Sequence, residues 1–291
     1  MRKEIIILIL LIVYIQANNL RILSDEDFEF DGKYKDGKAE GEGVAKYKNG
    51  EKYEGNFRNG LRDGNGKYYY KNGNVYEGEF KEGRIEGEGM MKYKDGQKYE
   101  GEFRDNLRDG KGKYYYKNGD RYEGEWRKGK KEGKGVYYWK EGDKFEGYFE
   151  NDKKGNFGKY YYKNGERYEG EFMDDKKSGR GIYYYLEGEK YVGEFKNGFA
   201  EGRGIYYYPD GEKYIGDYKE DKRNGHGIYF YANGDKYIGE FKDGKKDGKG
   251  ILYYKNGKKK ELYFENGIKK KMTDSSQDQI ERISRNTLSY S

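Results

Sequence analysis

The sequence predicts an all-β protein, an elongated, twisted ribbon of stacked antiparallel hairpins with an N-terminal signal helix. Three observations predict this fold: a 23-residue repeat without insertion or deletion, aromatic residues at alternate positions, and glycine at fixed turn positions. Charged residues reach 39%, but the aromatic content of 18% and the net charge of only +6 argue against disorder. We therefore expect rings to be buried between neighbouring copies instead of around one central core.

Residues 1–17 have the layout of a secretory signal peptide. A basic start at Met1 to Lys3 precedes an unbroken apolar run from Ile5 to Ile15, and Ala17 supplies a small residue for cleavage. A helix over that run would extend about 16 Å, roughly half the hydrocarbon thickness of a bilayer. We expect cleavage and entry into the secretory pathway, with an uncleaved membrane anchor or a buried helix as alternatives. A short acidic linker, residues 18–29, follows.

The repeat fills residues 30–268, as ten full copies and a partial copy from residue 260. The full copies start at residues 30, 53, 76, 99, 122, 145, 168, 191, 214 and 237. Positions 1 and 5 of every copy are aromatic and position 3 is glycine, as in Tyr122, Gly124 and Trp126. Because positions 2 and 4 are mostly acidic, this alternation predicts a strand with one aromatic face and one charged face.

The second half of each copy predicts another strand between two turns. A tyrosine-rich run follows a Gly-x-Gly pair in most copies, and position 18 is always aromatic. Position 21 is always glycine, as in Asn118-Gly119, and position 8 is Gly, Asn or Asp, the residues that tolerate positive φ. The glycines at positions 3 and 14 are expected to leave room for a ring from a neighbouring strand.

The pattern Y-x-G-x-F-x-x-G-x-x-x-G-x-G-x-x-x-Y-x-x-G, recurring over residues 30–268, resembles the MORN repeat. The resemblance implies a twisted sheet of stacked hairpins that serves as a scaffold, a dimerisation module or a binder of anionic lipids. Copy six departs from the pattern at Asp152, Gly155 and Asn156. This departure is either neutral drift in a loop or a kink or contact point. The polar tail, residues 269–291, is expected to be disordered or to form a short capping helix.

Residues suited to catalysis are scarce. The chain has no Cys and a single His, His226, at a variable position where we expect a solvated side chain. The chain therefore lacks the side chains needed to build a nucleophile–base pair of the Ser-His or Cys-His type. Carboxylates recur in every copy, whereas an active site is a unique constellation, so cross-strand ion pairs with the basic position 23 account for them. We expect no enzyme activity, cofactor, metal, nucleic acid or small-molecule substrate.

Two surface features are candidate binding sites. The first is a stripe of aromatic residues at position 17, on the face opposite position 18, which either grips a partner or covers that face. The second is a pair of lysine clusters, which either bind acidic lipids or form a solvated cap over the terminal strand. We expect protein partners, a second copy of the chain among them, with acidic membrane lipids as the alternative. The candidate residues are Tyr69, Tyr115, Tyr138, Tyr161, Tyr184, Tyr207, Phe230, Tyr253, Lys258, Lys259, Lys260, Lys269, Lys270 and Lys271.

Overall fold

The computed structural model describes residues 28–271, and their secondary structure is β throughout, as predicted. Within this range no helix is long and apolar enough to span a membrane. The predicted signal helix and most of the predicted tail lie outside the described residues. The strands are β1 (Phe28–Lys35), β2 (Lys38–Tyr47), β3 (Lys52–Arg58), β4 (Leu61–Tyr69), β5 (Val75–Lys81), β6 (Arg84–Lys92), β7 (Lys98–Arg104), β8 (Leu107–Tyr115), β9 (Arg121–Arg127), β10 (Lys130–Tyr138), β11 (Lys144–Glu150), β12 (Lys153–Tyr161), β13 (Arg167–Met173), β14 (Lys176–Tyr184), β15 (Lys190–Lys196), β16 (Phe199–Tyr207), β17 (Lys213–Lys219), β18 (Lys222–Phe230), β19 (Lys236–Lys242), β20 (Lys245–Tyr253), β21 (Lys259–Glu265) and β22 (Ile268–Lys270).

The chain divides into two compact units. Among the described residues, unit 1 comprises 28–117 and 126–129, and unit 2 comprises 118–125 and 130–271, so that β9 contributes to both. In unit 1 each strand from β1 to β8 pairs antiparallel with the next. The same holds from β10 to β22 in unit 2. This pairing of consecutive strands confirms the predicted stack of antiparallel hairpins within each unit.

The first and last strands extend slightly beyond the predicted limits of the array. β1 begins at Phe28, two residues inside the predicted linker. The Phe28 ring explains this extension, because it packs on Tyr47 and Phe57 with centroid distances of 5.4 and 6.1 Å. At the other end β22 continues to Lys270, so the first residues of the predicted tail belong to a strand.

Positions 1, 5 and 16 of the copies place their rings on one side of the sheet, here called the ring face. In copy two these residues are Tyr53, Phe57 and Tyr68, and all three are buried. Tyr53 packs edge-on against Phe57 at 5.1 Å and against Phe80 of the next copy at 4.9 Å. Such aromatic pairs contribute about 0.5–1.5 kcal/mol beyond the area that they bury, so each copy is stabilised by the next.

The position-1 ring lies over the glycines of its own hairpin. A Cβ on Gly124 would stand 2.5 Å from the Tyr122 hydroxyl, and a Cβ on Gly135 would overlap the same ring. The hydroxyl donates a hydrogen bond to the Glu125 carbonyl at 3.0 Å, which fixes the ring in this position. The predicted glycine gap is therefore confirmed at position 14. At position 3 the prediction was wrong about the source of the ring, which comes from the same strand, two residues earlier.

Two kinds of turn alternate along the chain. At positions 7 and 8 both residues have positive φ, as in Asp105 (49°) and Asn106 (67°), which is a two-residue type I′ hairpin. Positive φ at position 8 was predicted, whereas position 7 was missed. At positions 20 and 21 only the glycine has positive φ. There Gly73 N–H donates to the Tyr70 carbonyl at 2.9 Å, the pattern of a type I turn followed by a left-handed residue.

Gly119→Val is expected to lower the free energy of unfolding by about 1–3 kcal/mol, because a β-branched residue resists the φ of +94° at this turn. The added Cβ would also stand 3.1 Å from the Lys140 side chain. Urea denaturation of the full chain measures the difference. Lys117→Val, at an exposed position of the same turn, is the control and should change stability little. Equal stability of the two variants would contradict the turn assignment.

Candidate binding surface

The position-17 side chains lie on the side of the sheet away from the ring face, here called the opposite face. In unit 1 Tyr69 is paired across the strands with Lys52, and the Lys52 Nζ lies 4.3 Å from the ring centroid. The Tyr69 hydroxyl donates to Glu54 Oε2 at 2.9 Å, and Lys52 Nζ lies 2.7 Å from Glu54 Oε1. A cation, a carboxylate and a ring therefore hold one another in place on this face.

This arrangement of cation and ring recurs in both units. Each ring is half-buried, and the Lys or Arg at position 23 covers one of its sides. The predicted aromatic residues thus share one face in each unit, but part of each ring is already occupied by a cation of the chain. Cation-to-centroid distances are 4.3 Å for Lys98 and Tyr115 in unit 1, and in unit 2 4.3 Å for Arg121 and Tyr138, 4.1 Å for Lys144 and Tyr161, 4.2 Å for Arg167 and Tyr184, 4.7 Å for Lys190 and Tyr207, 4.7 Å for Lys213 and Phe230, and 5.3 Å for Lys236 and Tyr253.

In unit 1 the opposite face carries an acidic groove of about 990 Å³. Glycines from five consecutive strands line it, together with side chains that include Glu54, Glu77 and Glu88. Glu88 is paired directly across the strands with Glu102, and like charges in this relation repel each other. Only Lys67 brings a positive charge to the lining, and its Nζ lies 3.4 Å from Glu77. The groove is therefore a region of negative potential.

In unit 2 the same rows of the opposite face become apolar from copy seven onward. Positions 2 and 15, which carry Glu and Lys in many earlier copies, now carry β-branched residues on seven consecutive strands. Each is paired directly with the next across the sheet. This row was not predicted, although the replacement of charged residues by Val and Ile is visible in the repeat. The row, here called the aliphatic stripe, consists of Ile182, Val192, Ile205, Ile215, Ile228, Ile238 and Ile251.

A family model described as MORN repeat matches ten tandem segments of the chain, at residues 30–52, 53–75, 76–98, 99–121, 122–144, 145–167, 168–189, 191–213, 214–236 and 237–259. The matched segments begin at the residues that the sequence periodicity predicts. The chain belongs to the MORN-repeat family. A search of curated proteins found no match.

The MORN array was also compared with solved structures. The TCP domain of Drosophila melanogaster SAS-4, solved with a proline-rich motif of Ana2, has 18% identity and a TM-score of 0.36, over 54% of this chain and 86% of that chain. The TCP10 domain of Danio rerio CPAP has 12% identity and a TM-score of 0.29, over 79% and 99% of the two chains. Virginiamycin B lyase from Staphylococcus aureus has 9% identity and a TM-score of 0.16, over 83% and 85%. At these scores the similarity carries no functional argument.

The sixth MORN copy keeps its strand pairing but changes its surface. In copies four, seven and nine the acid at position 4 accepts a hydrogen bond from the N–H at position 13, as Glu171 does from Arg180 at 3.0 Å. Copy six has Tyr148 and Phe157 at these two positions, and they are 52% and 55% exposed. A β-bulge shifts the strand register between positions 3 and 5 of a copy, as between Gly170 and Phe172 in copy seven, and copy six has the same bulge between Gly147 and Phe149. The departure therefore leaves the sheet continuous there and exposes two aromatic rings on the opposite face.

Carboxylates at position 22 of the MORN copies bind successive turns together. Asp120 accepts hydrogen bonds from the Tyr137 hydroxyl at 2.8 Å and from Lys140 N–H at 2.9 Å in the following copy. Burial alone would raise the pKa of Asp120, but these bonds and one from Asn118 hold its pKa below the ordinary value. On the ring face, burial raises the pKa of Tyr70 and of Tyr185 to about 12. These phenols are therefore neutral at physiological pH and act as packing groups.

The two predicted lysine clusters lie at the last strands of the MORN array. Lys258 directly precedes β21, Lys259 and Lys260 are its first residues, and all three are exposed. Lys269 and Lys270 belong to β22, and Lys270 Nζ lies 3.9 Å from Glu265. Lys271 follows directly and is exposed. Because neighbouring strand residues point to opposite faces, these lysines do not form one basic patch.

His226 lies on β18 with an exposed side chain, as predicted from its variable position in the repeat. Its backbone N–H donates to Asp217 Oδ2 at 3.1 Å, the same bulge contact that other copies make. Within residues 28–271 no group of three or more His, Cys, Asp or Glu side chains could hold a metal ion. His226 therefore occupies an ordinary structural position of the MORN repeat.

Proposed function

We propose that this MORN-repeat protein is a non-enzymatic scaffold that binds protein partners through the opposite face of its sheet. The observation that supports the proposal is the series of eight position-17 rings, each held between strands by a cation from position 23. In unit 2 such rings recur on every second strand from β10 to β20, about 10 Å apart at the usual strand spacing, whereas in unit 1 only β4 and β8 carry them. A partner would therefore meet a regular, preorganised surface.

The chemistry of these pairs suits protein recognition. Tyrosine and arginine are enriched among residues that dominate binding energy at interfaces, and rigid rings lose little conformational entropy on binding. The recurring carboxylates, in contrast, are engaged in structural contacts: Asp120 joins two turns and Glu171 caps a bulge. This supports a binding role over an acid–base role for the face. Entry into the secretory pathway, suggested by residues 1–17, is part of the proposal, and sequencing the N-terminus of the exported chain would test it.

Cross-linking mass spectrometry on the tagged full chain in its native cells tests the proposed function. We expect partner cross-links at lysines of the opposite face, and we expect Tyr138→Ser, Tyr161→Ser and Tyr184→Ser together to remove most of them. The control combines Met173→Ser, Leu186→Ser and Phe199→Ser, which change exposed apolar residues outside position 17. Partner cross-links that survive the tyrosine changes, or that are lost equally in the control, would contradict the proposal.

A further inference from the structure

The aliphatic stripe is an apolar strip on the opposite face of unit 2. Its members from Ile182 to Ile238 are half-buried and so keep part of their surface open, whereas Ile251 at the end is only 2% exposed. The seven strands span about 29 Å at the usual spacing of about 4.8 Å. A contiguous, partly exposed apolar strip of this length on a sheet face is typical of an interaction surface.

The charge beside the stripe is not balanced within the chain. In five places the position-23 cation pairs with a Glu at position 2 of the next copy. Beside the stripe that Glu is replaced by Val192, Ile215 and Ile238, so Lys190, Lys213 and Lys236 have no ion-pair partner within residues 28–271. These are here called the three uncompensated lysines. The five pairs elsewhere are Lys52–Glu54 at 2.7 Å, Lys98–Glu100 at 2.7 Å, Arg121–Glu123 at 2.9 Å, Lys144–Glu146 at 3.4 Å and Arg167–Glu169 at 3.0 Å.

The other side of the stripe differs in charge. There acids of position 4 face bases of position 13 across the strands, Glu194 opposite Arg180 and Asp217 opposite Arg203. Asp217 also accepts a hydrogen bond from the His226 N–H at 3.1 Å and lies 4.0 Å from Arg203. A ligand on the stripe would thus meet unpaired positive charge along one side and a mixture of acidic and basic side chains along the other. An apolar ligand with carboxylates along one side only is complementary to this arrangement.

The spacing of the surface fits an α-helix lying across the strands. Stripe residues recur about every 4.8 Å and the lysines about every 10 Å, on alternate strands. A helix presents an apolar residue at each turn of about 5.4 Å, and residues seven apart are separated by about 10.5 Å. We propose that the aliphatic stripe binds an amphipathic helix of a partner protein, with Ile or Leu on one face and Asp or Glu at seven-residue intervals beside it. This inference rests on the proposed scaffold function and names the class of partner.

A designed helix tests this inference directly. The probe is a labelled 21-residue peptide with Leu and Ile on one face and Glu at every seventh position beside them, and binding to the full chain is measured by fluorescence anisotropy. Changing Lys190→Glu, Lys213→Glu and Lys236→Glu together is expected to weaken binding on the order of tenfold or more, because attraction becomes repulsion. A second peptide with Lys in place of Glu should recover affinity for this variant.

The matched control changes the same repeat position where a Glu partner is present: Lys52→Glu, Lys98→Glu and Lys144→Glu. We expect less than about a twofold effect on probe binding, since exposed charges away from the contact contribute little. Circular dichroism and thermal melts confirm that both variants are folded. Equal losses in the two variants, or no loss in the first, would overturn the inference.

Other occupants give distinct results. If vesicles of phosphatidylcholine and phosphatidylserine bind through the three uncompensated lysines and the helical probe does not, the inference is wrong. It is equally wrong if analytical ultracentrifugation shows that Ile215→Asp dissociates a dimer of the chain while the probe does not bind. If partner cross-links persist on the opposite face but the helical probe does not bind, the proposed scaffold function is still supported and only the inference of a helical partner is wrong.

Discussion

Gly135→Val is expected to reduce the stability of unit 2 by about 3 kcal/mol, near the upper end of the usual cost of overpacking a tightly packed site. The Tyr122 ring, which is fully buried, lies where the new side chain would stand. The ring cannot move aside easily, because its hydroxyl is hydrogen-bonded to the Glu125 carbonyl and its edge is packed on Phe149 at 4.9 Å. Urea denaturation of the full chain, followed by near-ultraviolet circular dichroism, measures the loss.

A double-mutant cycle distinguishes a clash between the new side chain and the Tyr122 ring from a loss of strand stability that does not depend on this ring. Tyr122→Ala removes the ring and is destabilising alone, but a valine at Gly135 should then cost much less than in the wild-type background. The interaction energy between such contacting sites is commonly about 0.5–3 kcal/mol. Strictly additive effects would show that the ring does not set the need for glycine at this position.

Trp126→Ala is expected to cost about 3–5 kcal/mol, the usual range for removing a buried aromatic side chain. Trp126 is 4% exposed, packs edge-on against Tyr99 at 5.3 Å and lies under the Arg108 guanidinium at 4.3 Å. Its Nε1 also donates to the Gly112 carbonyl at 3.3 Å. Intrinsic fluorescence during thermal unfolding follows the alanine variant through its remaining tryptophan, Trp139.

The repeat supplies the control for this substitution. Position 5 is Phe or Tyr in every other copy, so Trp126→Phe should cost less than about 1.5 kcal/mol, as for other conservative core changes. A phenylalanine variant as unstable as the alanine variant would mean that the indole N–H, and not the ring, stabilises the site.

The sequence predicted the parts of the fold in which one residue type serves one purpose in every copy. Glycine at position 21 and aromatic residues at positions 1 and 5 are invariant here. The strands, the turns and the ring face could therefore be predicted from the 23-residue period and from the preference of glycine for positive φ. Position 23 was predicted to form cross-strand ion pairs with nearby acids, and this was wrong about the partner strand: within residues 28–271 the five pairs that form join the position-23 cation to a Glu two residues later on the same strand. The covering of position-17 rings by the same cations was not predicted, because it depends on the cross-strand register.

Variable positions were predicted less well, because their roles change along the chain. Position 10 is Arg in copy two and Ile in copy three: Arg62 covers the Tyr68 ring at 4.7 Å and donates to the Gly83 carbonyl, whereas Ile85 is buried. No single preference describes both. The aliphatic stripe was missed for a related reason, since averaging over ten copies conceals a change confined to the last four.

The pairing of each strand with its immediate neighbours also bears on how the array can change in length. Every full copy has 23 residues and offers the next copy the same kind of backbone pairing and the same ring edge. Duplicating or deleting a whole internal copy would therefore leave all remaining junctions equivalent, whereas losing a single residue would disturb two of them. Evolution can lengthen such a protein by whole copies, and each added copy extends by two strands the surface that is available to a binding partner.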